Sequence, residues 1–169
     1  MFKMNLLKMR TRSAVRKNKS LRASIPYKQS KSIGIMFSDE GLQKYTDIKN
    51  FIHQLEEDGK QVKVLEFLAE KKESKTFEFD HFTKDDLSFW GVIRSEQADR
   101  FSDTAFDFLF YLDTDSNPLT LNLLARSKAQ CRIGRFVEEQ STYFEMMIEQ
   151  MGTIKGLIET MYKYAKQLR

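Results

Sequence analysis

A chain of 169 residues, 41% apolar and with 14 Phe, is long enough to bury a full core and too apolar to stay disordered. Its single cysteine excludes an internal disulfide framework and fits a reducing compartment. No apolar run approaches the ~20 residues that cross a bilayer, and the N-terminus lacks the continuous apolar stretch of a secretory signal.

The net charge of +4 is unevenly placed. Residues 1–31 carry ten of the 28 Lys and Arg and no Asp or Glu; the remainder holds 18 basic against 24 acidic residues, a net of −6. An acidic body with a basic arm is the strongest partner signal in the chain. The arm's candidate anion-binding residues are Lys3, Lys8, Arg10, Arg12, Arg16, Lys17, Lys19 and Arg22. A helix is expected at least from Asn5 to Lys17, with Phe2, Leu6 and Met9 on one face. A short basic amphipathic helix of this kind can lie on an anionic membrane surface, dock on nucleic acid, or pack on its own domain. The partners it suits are RNA, a ribosome or an anionic membrane surface, although no RRM-type glycine–aromatic strand and no GXXG loop accompanies it. Ser24 to Lys31, with Pro26, reads as a linker. The expected organisation is therefore an arm and linker over 1–31 and one α/β domain over 32–169.

Ile33 to Phe37 reads as the first strand, with Gly34 allowing close approach of a neighbouring helix. The loop Ser38-Asp39-Glu40-Gly41 follows. Leu42, Tyr45, Ile48, Ile52 and Leu55 recur every three or four residues, so Gly41 to Asp58 is an amphipathic helix, stopped by Gly59. Gln61 to Leu68 is the second strand and closes a βαβ unit. Glu70 to Lys75 is a charged surface loop. Thr76 to Phe82 alternates as a short edge strand would, and Trp90 to Ile93 is another short piece in which Trp90 packs in the core or at its rim. Glu96 to Ser102 is a short helix.

The stretch FDFLFYLDTDSNPLTLNLLARSKAQCRIG, Phe106 to Gly134, organises the rest. Phe106 to Leu112 is apolar on both faces, interrupted only by Asp107, as a central parallel strand is. Pro118 belongs at the first helical position and Asn117 at the N-cap, because a residue before proline is pushed out of the α region. Leu119, Leu121, Leu123, Leu124 and Ala125 then form a wide helical face, and Cys131 to Phe136 is the next strand. This pattern resembles a family of short, stand-alone bacterial proteins of unknown function, over Ile33 to Leu168. It is also distantly similar, over 106–136, to the N-terminal domain of heptosyltransferases, with Leu112-Asp113 and Arg132-Ile133-Gly134 as the counterparts. The second resemblance implies a Rossmann-like fold. Those enzymes need a further domain to hold the sugar nucleotide, and 169 residues do not supply one. After the polar loop Val137 to Ser141, Thr142 to Glu149 is expected as a last strand and Ile154 to Leu168 as a C-terminal helix.

The expected fold class is α/β: a Rossmann-like or flavodoxin-like open, mostly parallel sheet with helices on both faces, plus the basic N-terminal arm. In such folds ligands bind beyond the carboxyl ends of the strands, where strand order reverses. If the Ile33 and Phe108 strands are neighbours, Ser38, Asp39 and Glu40 meet Asp113, Asp115 and Ser116 there. That set could hold Mg²⁺ with a phosphorylated ligand; routine helix capping explains the same residue types and outweighs it. No GxGxxG, GxxxxGK[ST] or GxSxG is present. His53 and His81 have no partner at metal-ligand spacing, and Cys131 reads as a small buried hydrophobe. Arg126, Lys128, Arg132 and Arg135 could form a basic patch below the central helix; a solvated face and a helix-end complement is the better reading. The expectation is a non-enzymatic cytoplasmic binding or adaptor protein, peripheral to the inner membrane where the arm meets lipid, with no cofactor and no metal. The alternative is a small-molecule or degenerate glycosyltransferase-like site at the strand ends.

Overall fold

The strand at Phe108 sets the architecture. Strand β4 (Phe108–Tyr111) is buried at all four positions. Phe108 and Phe110 join one apolar cluster, Leu109 and Tyr111 a second. A strand apolar on both sides needs cover on both sides. It lies in a six-stranded sheet of order β3-β2-β1-β4-β5-β6, with β1 at Ser32–Ser38, β2 at Gln61–Leu68, β3 at Asp80–Thr83, β5 at Cys131–Arg135 and β6 at Met146–Ile148. The structure, a computed structural model, describes residues 1–70, 76–150 and 152–169. Every ladder of this sheet is parallel. The order is that of the Rossmann type, not the flavodoxin type. β1 pairs Ile33 with Phe108 and Met36 with Tyr111, and β2 lies on its other side. Strand order therefore reverses between β1 and β4.

Helices α2 (Leu42–Glu57) and α5 (Ile154–Gln167) cover one face through Ile48, Phe51, Leu55, Leu157, Ile158 and Met161. Helices α1 (Phe2–Lys17), α3 (Glu96–Asp103) and α4 (Pro118–Arg126) cover the other through Leu7, Phe101, Leu119, Leu123 and Leu124. α4 starts as its sequence dictates: Pro118 is the first helical residue, and the Asn117 side chain accepts from the Leu119 amide at 2.9 Å. Asp107, the one polar residue in the central run, accepts from the amides of Lys31 and Ser32 and so ties the start of β1 to β4. A Cβ on Gly34 would sit 2.7 Å from the Phe106 ring, so the close approach there is to a side chain and not to a helix.

Three short segments differ from expectation. Of the expected strand Thr76 to Phe82, only the end is extended, in a strand running Asp80–Thr83; ahead of it Phe77 stacks on His81 with ring centroids 3.9 Å apart. Between Thr142 and Glu149 the strand is only Met146–Ile148; a 3₁₀ helix over Glu138–Tyr143 precedes it. Glu145, just before β6, is drawn instead to Arg132, accepting from its backbone amide, Nε and Nη2. Around Trp90 there is a tight turn closed by an isolated antiparallel bridge between Leu87 and Ile93. The charged loop expected over Glu70 to Lys75 lies, from residue 71 onward, outside the described residues. No described helix is long and apolar enough to cross a membrane.

Candidate anion-binding surface

Leu, Met, Lys, Arg and Ala dominate α1, and all are strong helix formers. Arg16 and Lys17 in its last turn suit the negative end of the helix dipole. Residues 4, 7, 11, 14 and 18 recur at intervals of three and four and make one stripe. That stripe docks on α4. Leu7 is fully buried, and Met4 packs beside it. Thr11 is buried and accepts from the Asn122 amide at 2.9 Å. Asn18 ends the helix and donates to the carbonyls of Ala125 and Ser127, at 2.9 and 3.0 Å, satisfying the C-terminus of α4. Beyond it, the Ala23 amide donates to Gln130, and Tyr27 is buried in the α2–α5 cluster. The segment expected as arm and linker is thus packed along much of its length.

This docking leaves the charges outward. Lys3, Lys8, Arg10, Arg12, Arg16, Lys17 and Lys19 are all exposed. Among the described residues, none of them has a carboxylate within 4.0 Å. By helical spacing, Lys8, Arg12 and Arg16 line one flank and Lys3, Arg10 and Lys17 the other. Two shallow grooves run beside them. One, of about 560 Å³, is bounded by Arg12, Arg16 and Tyr143; the other, of about 310 Å³, by Arg10, Lys17, Asn122 and Arg126. Among the described residues, Nε and Nη2 of Arg126 have no hydrogen-bond partner. Arg22 is the exception among the candidates. It is half-buried, donates to the Ala129 carbonyl and pairs with Glu145 at 3.5 Å, so it belongs to the interior. Burial and the neighbouring Arg132 lower its pKa, partly offset by Glu145.

Phe2, Leu6 and Met9 do share a face, but it is not the docking face. Phe2 and Met9 are 53% and 63% exposed. Phe2 meets Phe89 of the turn following Leu87, with centroids 5.0 Å apart. Trp90, expected in the core or at its rim, is 61% exposed. Core space is denied to it because Gly91 is pressed against α1: a Cβ on Gly91 would lie 2.5 Å from the Leu7 amide nitrogen, and its φ is +69°. Nothing in the local sequence shows that α1 occupies that space, so periodicity alone missed this surface.

The second candidate lies where β1 and β4 end. Ser38 and Lys44 converge on Asp113, and Lys44, a residue the sequence did not single out, also reaches Glu40. Asp113 has a fully covered side chain; it accepts from the Ser38 amide at 2.8 Å, the Ser38 hydroxyl at 2.7 Å and Lys44 Nζ at 2.6 Å. Lys44 is itself buried and reaches Glu40 at 3.2 Å. Glu40 and Lys44 stand four apart at the start of a helix, which is the one signal that could have found the pair. Asp39 accepts from the Gly41 amide, and Asp115 and Ser116 are exposed. Next to the site, burial and the Asp113 charge push the Tyr111 hydroxyl well above the usual tyrosine range. Among the described residues no three His, Cys, Asp or Glu side chains are grouped to hold a metal ion.

The other singled-out residues have structural partners. His53 is exposed and pairs with Glu57. Cys131 is fully buried, its thiol pushed up by desolvation, with the Ser24 hydroxyl 3.8 Å away. Arg132 is buried among Glu145 and the Leu124 carbonyl, Arg126 pairs with Asp99, Lys128 with Asp103, and Arg135 donates to the Thr114 carbonyl. These four do not form one patch. Neither curated proteins nor solved structures return a match to this chain. A family model does match, over residues 3–168, and it takes in α1 as well as the sheet. The chain belongs to that family, a family of unknown function (DUF6913).

Proposed function

We propose that this protein is a non-enzymatic binding or adaptor protein of the cytoplasm whose N-terminal helix presents its cations to an anionic partner. One observation carries the reading. The helix docks through Leu7, Thr11 and Asn18, while Lys3, Lys8, Arg12, Arg16, Lys17 and Lys19 remain exposed with no acidic partner among the described residues. If the basic segment served only to neutralise the acidic body, its charges would face carboxylates. They face solvent, where an anion's counterions can be released on contact. The strand-end site is the weaker candidate, since Asp113 is already saturated by Ser38 and Lys44, and a cation there would have to displace the lysine.

The test is co-sedimentation of the full chain with total RNA and with anionic vesicles, at low and moderate salt. The comparison is a variant with Lys3, Lys8, Arg12, Arg16, Lys17 and Lys19 all changed to Gln. Among the described residues these six exposed side chains form no ion pair, so the variant is expected to lose only the helix-end charge effect of Arg16 and Lys17 and small surface contributions, about 1–2 kcal/mol in all, with its fold checked by circular dichroism. The expected result is that the native chain pellets with an anion and is released by salt, while the variant stays in solution. Failure of the native chain to pellet with any anion, or equal pelleting of the variant, ends the reading.

A further inference from the structure

The outward cations sit beside an outward apolar knob. Phe89 and Trp90 are 63% and 61% exposed at the tip of a turn, and Phe2 of α1 leans on Phe89. The turn is braced and not loose. Gly91 N donates to the Ser88 carbonyl, Ser88 N to the Val92 carbonyl, and Val92 N to the Ser88 hydroxyl. Arg10 Nε donates to the Trp90 carbonyl at 2.9 Å, and Gly91 abuts the α1 backbone. Large aromatic surface held rigidly in water is unfavourable, and its usual explanation is a surface that covers it. We propose that this knob enters the headgroup boundary of an anionic lipid bilayer, with the α1 cations lying along the phosphates; the inference rests on the anion-binding reading above.

The ring geometry favours lipid over nucleic acid. Single-stranded nucleic acid stacks its bases on open aromatic faces. Here the Phe89 ring is flanked by Phe2 at 5.0 Å and by an edge-on Trp90 at 5.3 Å, so the three rings form a compact body and not a platform. Met9, 63% exposed, stands one heptad from Phe2 and extends the apolar crest. Lys3, Arg10 and Lys17 flank the crest on the side of the turn. Long cationic side chains beside a buried apolar crest can reach upward to headgroups, and tryptophan favours that same depth.

Trp90 is the chain's only tryptophan, so its emission reports on this site alone. The experiment titrates the full chain with phosphatidylcholine vesicles, with and without about one third phosphatidylglycerol, the acyl chains being plain or brominated. It is repeated with Phe89→Ser, which leaves Trp90 in place. The expected result is a blue shift and bromine quenching with anionic vesicles only, and about a tenfold weaker affinity for Phe89→Ser at unchanged circular dichroism and melting temperature. Unchanged emission together with salt-sensitive pelleting on RNA would overturn the lipid inference and leave the anion-binding reading intact. Binding to neither ends both. Vesicle affinity of Phe89→Ser equal to that of the native chain removes the knob as the insertion point. A concentration-dependent dimer that Phe89→Ser dissociates makes it a contact between copies and overturns the proposal.

Discussion

Lys44 supports two carboxylates from a buried position. Its partner Asp113 has no exposed side-chain surface, so removal of the ammonium would leave a covered negative charge held by neutral donors such as the Ser38 amide and hydroxyl, with no cation against it among the described residues. Breaking a buried pair from one side costs about 3–5 kcal/mol, while replacing both partners by apolar groups costs far less. Lys44→Met is therefore expected to lower the free energy of unfolding by about 3 kcal/mol or more in a denaturant titration, and Lys44→Met with Asp113→Leu to regain most of it. A single variant within about 0.5 kcal/mol of the native chain rejects this account. The sequence placed Ser38, Glu40 and Asp113 together because strand-end loops converge at a switch point whatever their residues. It could not show that a lysine would occupy the centre. Helical spacing marks which residues share a face, not how far a long side chain reaches inward.

At the scale of elements, the two βαβ units were legible because their periods are clean. Leu42 to Leu55 repeats on one helical face, and Phe108 to Tyr111 is apolar throughout. α1 was legible as a helix but not in its orientation. It carries two stripes, Phe2–Leu6–Met9 and Met4–Leu7–Thr11, and the second is less apolar. What selects it is the buried hydrogen bond between Thr11 and Asn122, together with Asn18 on the end of α4, and neither partner can be paired from sequence. Gly91 tests the seam between α1 and the turn. Gly91→Ala must take a left-handed φ and move the Leu7 backbone. It is expected to destabilise the fold by about 1–3 kcal/mol and to raise hydrogen exchange in α1 above that in α5. Uniform exchange in both helices, with unchanged stability, counts against a braced turn.

Over the whole molecule, one carboxylate ties three distant parts of the chain. Asp58, at the end of α2, accepts from Tyr27 at 2.7 Å and from Tyr162 of α5 at 2.5 Å. Burial and the bond to Asp58 raise both tyrosines, Tyr162 to about 12 and Tyr27 further. Burial alone would raise Asp58; the bonds from Tyr162 and Tyr27 outweigh it and hold the carboxyl below its ordinary value. The folded tyrosines lose their protons at higher pH than unfolded ones, near 10. Their contribution is thus complete below about pH 10 and is lost as pH rises towards 12. The Asp58 contribution has the opposite sense: it is present above the usual carboxylate range near pH 4 and fades below it. Thermal melts across pH are expected to fall at both ends, and Tyr162→Phe to flatten the alkaline limb. An alkaline limb unchanged in that variant removes the network from the account.

The contact between Asn18 and Ala125 spans 107 residues of chain. During synthesis the first helix leaves the ribosome long before its seat exists. At about 5–20 residues per second, it waits roughly 5 to 20 s for α4 to follow. Throughout that interval its cations and both apolar stripes are available to whatever polyanion or surface is nearest the exit, the ribosome's own RNA included. Completion of the Rossmann sheet then withdraws Leu7 and Thr11 and leaves only the outward side in play. The emerging segment therefore offers more of its side chains than the finished protein does, and only the finished one holds Phe2 against Phe89.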